Sequence, residues 1–261
     1  MQAGAHYPTI AHARAAAATV VFLSQEPDIA AVMLTGSCAR GRATPDSCLD
    51  LAVLVQPEVL STERPALQRR WEDFAGASAE IGALLNAGAY SHVDLDFFDG
   101  CFAPRPRGWT SGPDAFELEI GNTLVYTTPL WERSDEVTRL KERWLPYYDE
   151  RLRRRRLAEV RRYCLNNLDH IPLYVDRGLY FQAFHRLYDA FREFLQALFI
   201  ARRAYPIAYD KWVREQVEEI LGLPELYQRL ARIFEIDHFE GPVIAAKARE
   251  LRLLAEQYAT E

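Results

Sequence analysis

The stretch LTGSCARGRATPDSCLDLAVLV, residues 34 to 55, sets short apolar runs on either side of a polar loop. The run IAAVMLTGS ends in a glycine turn, CARGRATPDS follows, and LDLAVLV closes the unit. Apolar runs of this length bounded by Gly, Pro, Asp and Ser read as strands, here a hairpin or adjacent strands of one sheet. Alternation places Cys48 and Asp50 on one face of the second strand and Leu49, Leu51 and Val53 on the other. HVDLDFF alternates in the same way, with His92, Asp94 and Asp96 on one face and Val93, Leu95 and Phe97 on the other. If these strands lie side by side, Asp50, Asp94 and Asp96 converge. Like charges that close repel unless a cation sits among them, and carboxylate oxygens suit a hard divalent ion such as Mg²⁺. Just before, Gly36 lets the backbone approach a ligand closely and Ser37 offers a hydroxyl to a phosphate oxygen. A glycine turn beside a carboxylate cluster points to nucleotide phosphates.

The rest of the first half supplies cover for such a sheet. Ala11 to Ser24 reads as a helix stopped by Pro27, and Pro65 to Ala77 as a second, with Leu67, Trp71 and Phe74 at helical spacing. RPRGWTSGPD is a loop, and NTLVYTT reads as a last short strand before Pro129. After Pro129 the strand signals stop. Ser134–Leu168, Leu179–Arg203, Tyr209–Leu221, Pro224–Phe234 and Pro242–Tyr258 all read as amphipathic helices. The expected fold is therefore α+β, a mixed sheet with helices over residues 1–130, followed by an all-α helical bundle over 131–261 with a cleft between them.

Three further features, two of them in the second half, call for a reading of their own. Phe184, Leu187, Tyr188, Phe191, Leu195, Leu198 and Phe199 form one stripe and read as core, while His185, Asp189, Arg192 and Gln196 line the opposite face, toward water or an acceptor. RLRRRRLAEVRR carries seven arginines between Arg151 and Arg162 and reads as a solvated or domain-bridging face rather than a clamp for a polyanion. Glu117 and Glu119 either reach the cleft or stand exposed.

Composition narrows the partners. A formal net charge of −6 argues against a nucleic-acid backbone as the main partner. The N-terminal residues are interrupted by His6, His12 and Arg14, with no apolar run near the roughly 20 residues needed to cross a bilayer, so a membrane partner is not expected. Cysteines at 38, 48, 101 and 164 form no C-x-x-C pair or disulfide framework, which fits a reducing compartment, and the expected location is cytoplasmic.

GSCARGRATPDSCLDLAVLV resembles the signature of the DNA polymerase β-like nucleotidyltransferase superfamily, G-S-x-A-R-G followed by P-D-S-D-x-D-L, in the style of its minimal and antibiotic-modifying aminoglycoside-type members. Gly36, Ser37, Ala39, Arg40, Gly41, Pro45, Asp46, Ser47, Asp50 and Leu51 agree at matching spacing. The resemblance implies a small mixed sheet backed by helices, and an NTP, ATP for an adenylyltransferase-like member, as substrate with Mg²⁺ or Mn²⁺ as cofactor. It also implies site residues. Gly36 and Ser37, with Arg40, match the element that holds the triphosphate, Asp50 matches the second metal aspartate, and Asp94 is the best match for the third carboxylate, ligand or base. Asp96 is a reserve ligand. QALFIARRAYPIAYDKW is similar to the C-terminal region of aminoglycoside nucleotidyltransferases, which makes Lys211 and Arg203 candidates for phosphate contacts.

One position departs from the signature. The first metal aspartate falls on Cys48, and a soft thiolate does not replace a bridging carboxylate around a hard ion. Several readings stay open: Asp46, Asp96 or a water substitutes, the metal site of Asp50, Asp94 and Cys48 takes a softer ion, or nucleotide binds without turnover. A zinc site of Cys38, Cys48 and His92 would lack a fourth ligand at motif spacing. The expected activity is metal-dependent transfer of a nucleoside monophosphate to a hydroxyl of a small acceptor, with a catalytically impaired nucleotide-binding or regulatory protein as the alternative. Neither the acceptor nor the oligomeric state is legible.

Overall fold

The computed structural model describes residues 5–260, so residues 1–4 and 261, at the outer ends of the two expected domains, lie outside the described residues. In chain order the elements begin α1 (Ile10–Ser24), β1 (Ile29–Leu34), α2 (Gly36–Ala39), β2 (Leu49–Val55), α3 (Pro57–Ala77), α4 (Ala79–Leu85) and β3 (Val93–Phe98). They continue with α5 (Phe116–Ile120), β4 (Thr128–Glu132), α6 (Glu136–Trp144), α7 (Glu150–Asp176), α8 (Tyr180–Ala201), α9 (Pro224–Ile233) and α10 (Val243–Tyr258). Two compact units result: one runs to Phe102 and takes in Asn122–Trp144, the other joins Ala103–Gly121 to the chain from Leu145 onward. No helix among the described residues is long and apolar enough to cross a membrane.

The first unit is a four-stranded mixed sheet in the order β3-β2-β1-β4. β1 is antiparallel to both β2 and β4, whereas β2 and β3 run parallel. The alternation seen in LDLAVLV decides which face is covered: Leu49, Leu51, Val53 and Val55 are buried in one core with Leu23 of α1, Leu60, Leu67 and Trp71 of α3, and Ile81 and Leu84 of α4. On the other face Ala31, Met33, Ala52 and Leu54 are covered by Val137 and Leu140 of α6. Among the described residues this apolar cover does not include the Asp50 end of that face.

Two boundaries in the first unit differ clearly from the sequence expectation. The helix expected from Pro65 starts at Pro57 and contains Pro65 in its interior. Pro57 sits in the first turn, where its fixed φ suits a helix and its missing N–H would be unpaired anyway. Pro65 deprives the carbonyl of Ser61 of its partner, but residues 61 to 65 are all exposed, so water replaces that bond. The last strand is Thr128–Glu132 and contains Pro129, while the expected NTLVYTT begins with a π-helical turn at Gly121–Val125. Proline is tolerated there because β4 is the edge strand of the sheet and the ladder is irregular opposite it, between Val32 and Met33.

In the second unit α7, α8, α9 and α10 bury one continuous core that includes Val160, Leu168, Leu187, Phe194, Leu198, Leu230 and Leu251. The helix expected over Ser134–Leu168 is broken into α6 and α7 by Pro146, and α7 restarts where the Asp149 carboxylate accepts from Leu152 N. Of the expected Tyr209–Leu221 only Glu215–Ile220 is helical, as a π-helical segment. The aromatic stripe of α8 is core as expected; opposite it His185 is exposed and Arg192 half-buried, whereas Asp189 and Gln196, together with Arg186 and Glu193, make up a buried part of that side. The segment 103–121 covers it, and Glu117, expected in the cleft or exposed, is fully buried. Its carboxylate accepts from Tyr148 Oη (2.7 Å), Arg156 Nε and Nη2 (3.0 and 2.7 Å) and Gln196 Nε2 (2.8 Å). Arg156 also donates to both oxygens of Asp114 at 2.8 Å. Arg153, likewise buried, donates from Nε and Nη2 to the Glu150 carboxylate. The arginine-rich helix is thus solvated on one side only, because two of its guanidiniums are buried, Arg156 with the equally buried Glu117 and Asp114 and Arg153 with the partly exposed Glu150.

Candidate active site

The candidate site lies where β1, the α2 turn and β2 meet the start of β3. Thr35 N donates to Asp50 O (2.9 Å), which clamps the chain leaving β1 against β2. Gly36 follows with φ +62°, in the left-handed region. A Cβ built on Gly36 would lie 1.8 Å from Asp50 Oδ2 and 2.7 Å from Asp50 Cγ, so the carboxylate rests directly on the glycine Cα. Glycine is required here twice, once for the backbone and once for the close approach. Ser37 is half-buried, its carbonyl accepts from Arg42 N (2.9 Å), and its hydroxyl has no hydrogen bond among the described residues. Arg40, half-buried, caps the end of α2.

The parallel register sets Asp50 beside Asp94 and Ala52 beside Asp96. Neighbouring strands are about 4.8 Å apart, so Asp50 and Asp94 project from the same face one strand spacing apart. Asp50 is half-buried and Asp94 exposed. Asp96 shares that face but is held at the sheet edge by Arg64 Nη2 at 2.9 Å. Asp46, the other reserve carboxylate, accepts from Ala89 N (2.9 Å) and pins its loop to the turn before β3.

Cys48 Sγ donates to Asp50 Oδ1 at 3.0 Å. Burial, that hydrogen bond and the charges of Asp50 and Asp94 push the thiol up to about 12, so at neutral pH it is a neutral donor and not a thiolate. Cys38 is buried beneath, donates weakly to Cys48 O (3.8 Å), and is pushed up to about 11 by burial and the Asp50 charge. His92, considered with these two for zinc, has its Nδ1 on Tyr90 O (2.7 Å). Among the described residues no three His, Cys, Asp or Glu side chains are grouped to hold a metal ion by themselves.

A metal of the kind the resemblance implies is therefore tested by the donor set. Asp50 and Asp94 offer hard oxygens, and Mg²⁺ is commonly bound by one or two carboxylates with the remaining positions filled by water and substrate phosphate. One such ion fits the pair. A second does not, because the position that would bridge two ions carries a protonated sulfur that already donates to Asp50.

His12 escaped the sequence reading as a site component. It is fully buried in α1, with Nε2 on Ser47 O (2.9 Å) and Nδ1 on Thr9 Oγ1 (2.8 Å). A carbonyl only accepts, so Nε2 carries the proton and the ring fixes the loop one residue before Cys48. Ser91 Oγ holds the same loop through Pro45 O (2.7 Å). The only trace of this in the sequence is a histidine inside an alanine-rich helix. In the second unit Lys211 is exposed, and Arg203, at φ +50°, pairs with Glu150 Oε2 at 3.2 Å.

A glycine turn, a serine hydroxyl and a carboxylate pair on adjacent strands of a small mixed sheet thus lie together at one end of the first unit. Residues 19–98 match the family model described as nucleotidyltransferase domain, and this segment is a domain of the polymerase β-like superfamily, followed in the chain by an additional helical region. Among solved structures the chain is similar to a nucleotidyltransferase-like protein from Exiguobacterium sibiricum 255-15, with 14% identity, 94% of this chain and 75% of that chain covered, and a TM-score of 0.46. Comparison with curated proteins gives no match.

Proposed function

We propose that the protein transfers a nucleoside monophosphate from a nucleoside triphosphate, ATP in the first instance, to a hydroxyl of a small acceptor. The observation that carries this is the register of Asp50 with Asp94 beside the Gly36–Ser37 turn. In this reading Gly36 and Ser37 position the triphosphate, assisted by Arg40, and Lys211 and Arg203 are further candidates for neutralising its charge. Asp50 and Asp94 would hold Mg²⁺ or Mn²⁺, which when bound offsets charge on the phosphate oxygens. The acceptor oxygen forms a bond to the α-phosphorus in line with the bond that breaks, pyrophosphate leaves, and the acceptor proton passes to Asp94 where that carboxylate serves as base instead of ligand, or otherwise to water. Asp96, on the same face and 2.9 Å from the exposed Arg64 guanidinium, is the reserve ligand.

A second reading has its own observation. The Cys48 thiol occupies one oxygen of Asp50, which favours nucleotide binding without turnover. One experiment separates the two: wild type, Cys48→Asp and Asp50→Asn are incubated with the common triphosphates, Mg²⁺ or Mn²⁺ and a panel of hydroxyl acceptors, and pyrophosphate is followed. Wild-type turnover abolished by Asp50→Asn is the expected result. Turnover in Cys48→Asp alone supports the binder, and absence of both turnover and nucleotide binding in all three proteins overturns both readings.

A further inference from the structure

The arginine-rich stretch of α7 has two sides, and only one is explained by the buried ion pairs. Arg151, Arg154, Arg155 and Arg162 are exposed and Arg161 is half-buried. Arg154 is engaged by Glu150 at 3.0 Å. Among the described residues Arg151, Arg155, Arg161 and Arg162 have no carboxylate partner, although Glu159 stands on the same helix. At 100° per residue Arg151, Arg155 and Arg162 fall within about 40° of one another and span about 16 Å of helix. They form a ridge of uncompensated positive charge on a chain whose total is −6.

The ridge ends in an aromatic platform. Trp109, from the segment that folds onto this unit, is 49% exposed. Its ring lies 4.9 Å from Tyr163, tilted by 55°, with the Arg162 guanidinium 5.1 Å from its centroid. Beside it opens a depression of about 520 Å³ lined by Trp109, Arg161, Arg162 and Asn166, with Ala158, Leu165 and Asp169 completing the wall. Asp169 is already paired with Arg252.

From this juxtaposition we infer that α7 and Trp109 form a binding surface for single-stranded nucleic acid. The guanidiniums take successive phosphates, Trp109 stacks a base, and the Asn166 amide offers a donor and an acceptor to a base edge. An indole flanked by cations has the composition of a single-strand platform. A lipid surface is the poorer fit, because between Arg151 and Asp169 the exposed positions of α7 carry no large apolar side chain to insert. The acidic total keeps the binding local and steeply salt-dependent.

The test uses the full chain with fluorescein-labelled oligouridylate and oligothymidylate, followed by anisotropy between about 50 and 200 mM salt. Four phosphates neutralised predict a slope of log K against log salt of about −3. Charge reversal at Arg151, Arg155 and Arg162 together is expected to abolish binding, and Trp109→Ala to weaken it by at least about fivefold with loss of the tryptophan quenching signal. Arg162→Lys, which keeps charge but not the planar stack, weakens it less. Tighter binding to uridylate than to thymidylate assigns RNA, and the reverse assigns DNA. The inference is overturned by absence of binding at low salt, by binding that survives charge reversal in a variant with unchanged circular dichroism, or by binding to phosphatidylserine vesicles with none to either oligonucleotide.

Discussion

Replacing Gly36 by alanine probes the closest approach in the candidate site. Alanine at φ +62° bears the left-handed penalty of about 1–2 kcal/mol, and its Cβ would also overlap Asp50 Oδ2 at 1.8 Å. Relief requires the Asp50 carboxylate to leave its position, and Asp50 Cβ at 3.0 Å limits how far rotation alone can help. Overpacking of this kind costs about 1–3 kcal/mol, for a total of about 2–5 kcal/mol. Gly41 supplies the control inside the same loop. It has φ +69° and nothing within 4 Å of an added Cβ, so Gly41→Ala should lose only the backbone part. Denaturant unfolding of both variants, alone and combined with Asp50→Ala, gives the coupling between residues 36 and 50. Gly36→Ala should be the more destabilised and should lose nucleotide binding by calorimetry, and much of the excess should vanish when Asp50 is alanine. Equal destabilisation of the two glycine variants, with nucleotide binding retained, refutes the reasoning.

Other consequences concern the buried polar groups. Glu117→Ala leaves the donors of Tyr148, Arg156 and Gln196 without their acceptor and should cost about 3 kcal/mol or more in denaturant unfolding, with Asp114 still compensating part of the Arg156 charge. Burial pushes the Glu193 carboxyl up to about 7 against an ordinary value of 4.5, despite Asn167 and Arg107. The folded protein therefore holds a proton that the unfolded chain has released, and this contribution is present below pH 4.5 and lost as pH rises through 7. Wild type should lose stability relative to Glu193→Gln across that window in pH-dependent melting, and parallel curves would contradict the assignment. Iodoacetamide at neutral pH should label exposed Cys101 well before Cys48, whose thiol is held protonated, as peptide mapping after timed quenching would show.

Local pattern sufficed for the strands at the heart of the first unit and for one face of each. The period of two in LDLAVLV and HVDLDFF is a property of the backbone, so Asp50 and Asp94 could be assigned to the polar faces before the strands were paired. That β2 and β3 run parallel with those two residues in register is a pairing between segments about forty residues apart, which only the tertiary structure decided. The same holds for Asp96, drawn away by an arginine from α3, and for the Cys48 thiol, whose neutrality comes from burial and from two carboxylates on different strands. In the helical half, periodicity recovered the apolar stripe of α8. It did not separate exposed His185 from buried Asp189 and Gln196 on the opposite side, because polarity along a helix does not reveal whether water or another charged group will meet a side chain. Segment 103–121, a loop and the short α5, carries Asp114 and Glu117 to Arg156, and burial of charge is settled by such distant partners rather than by neighbours in the chain.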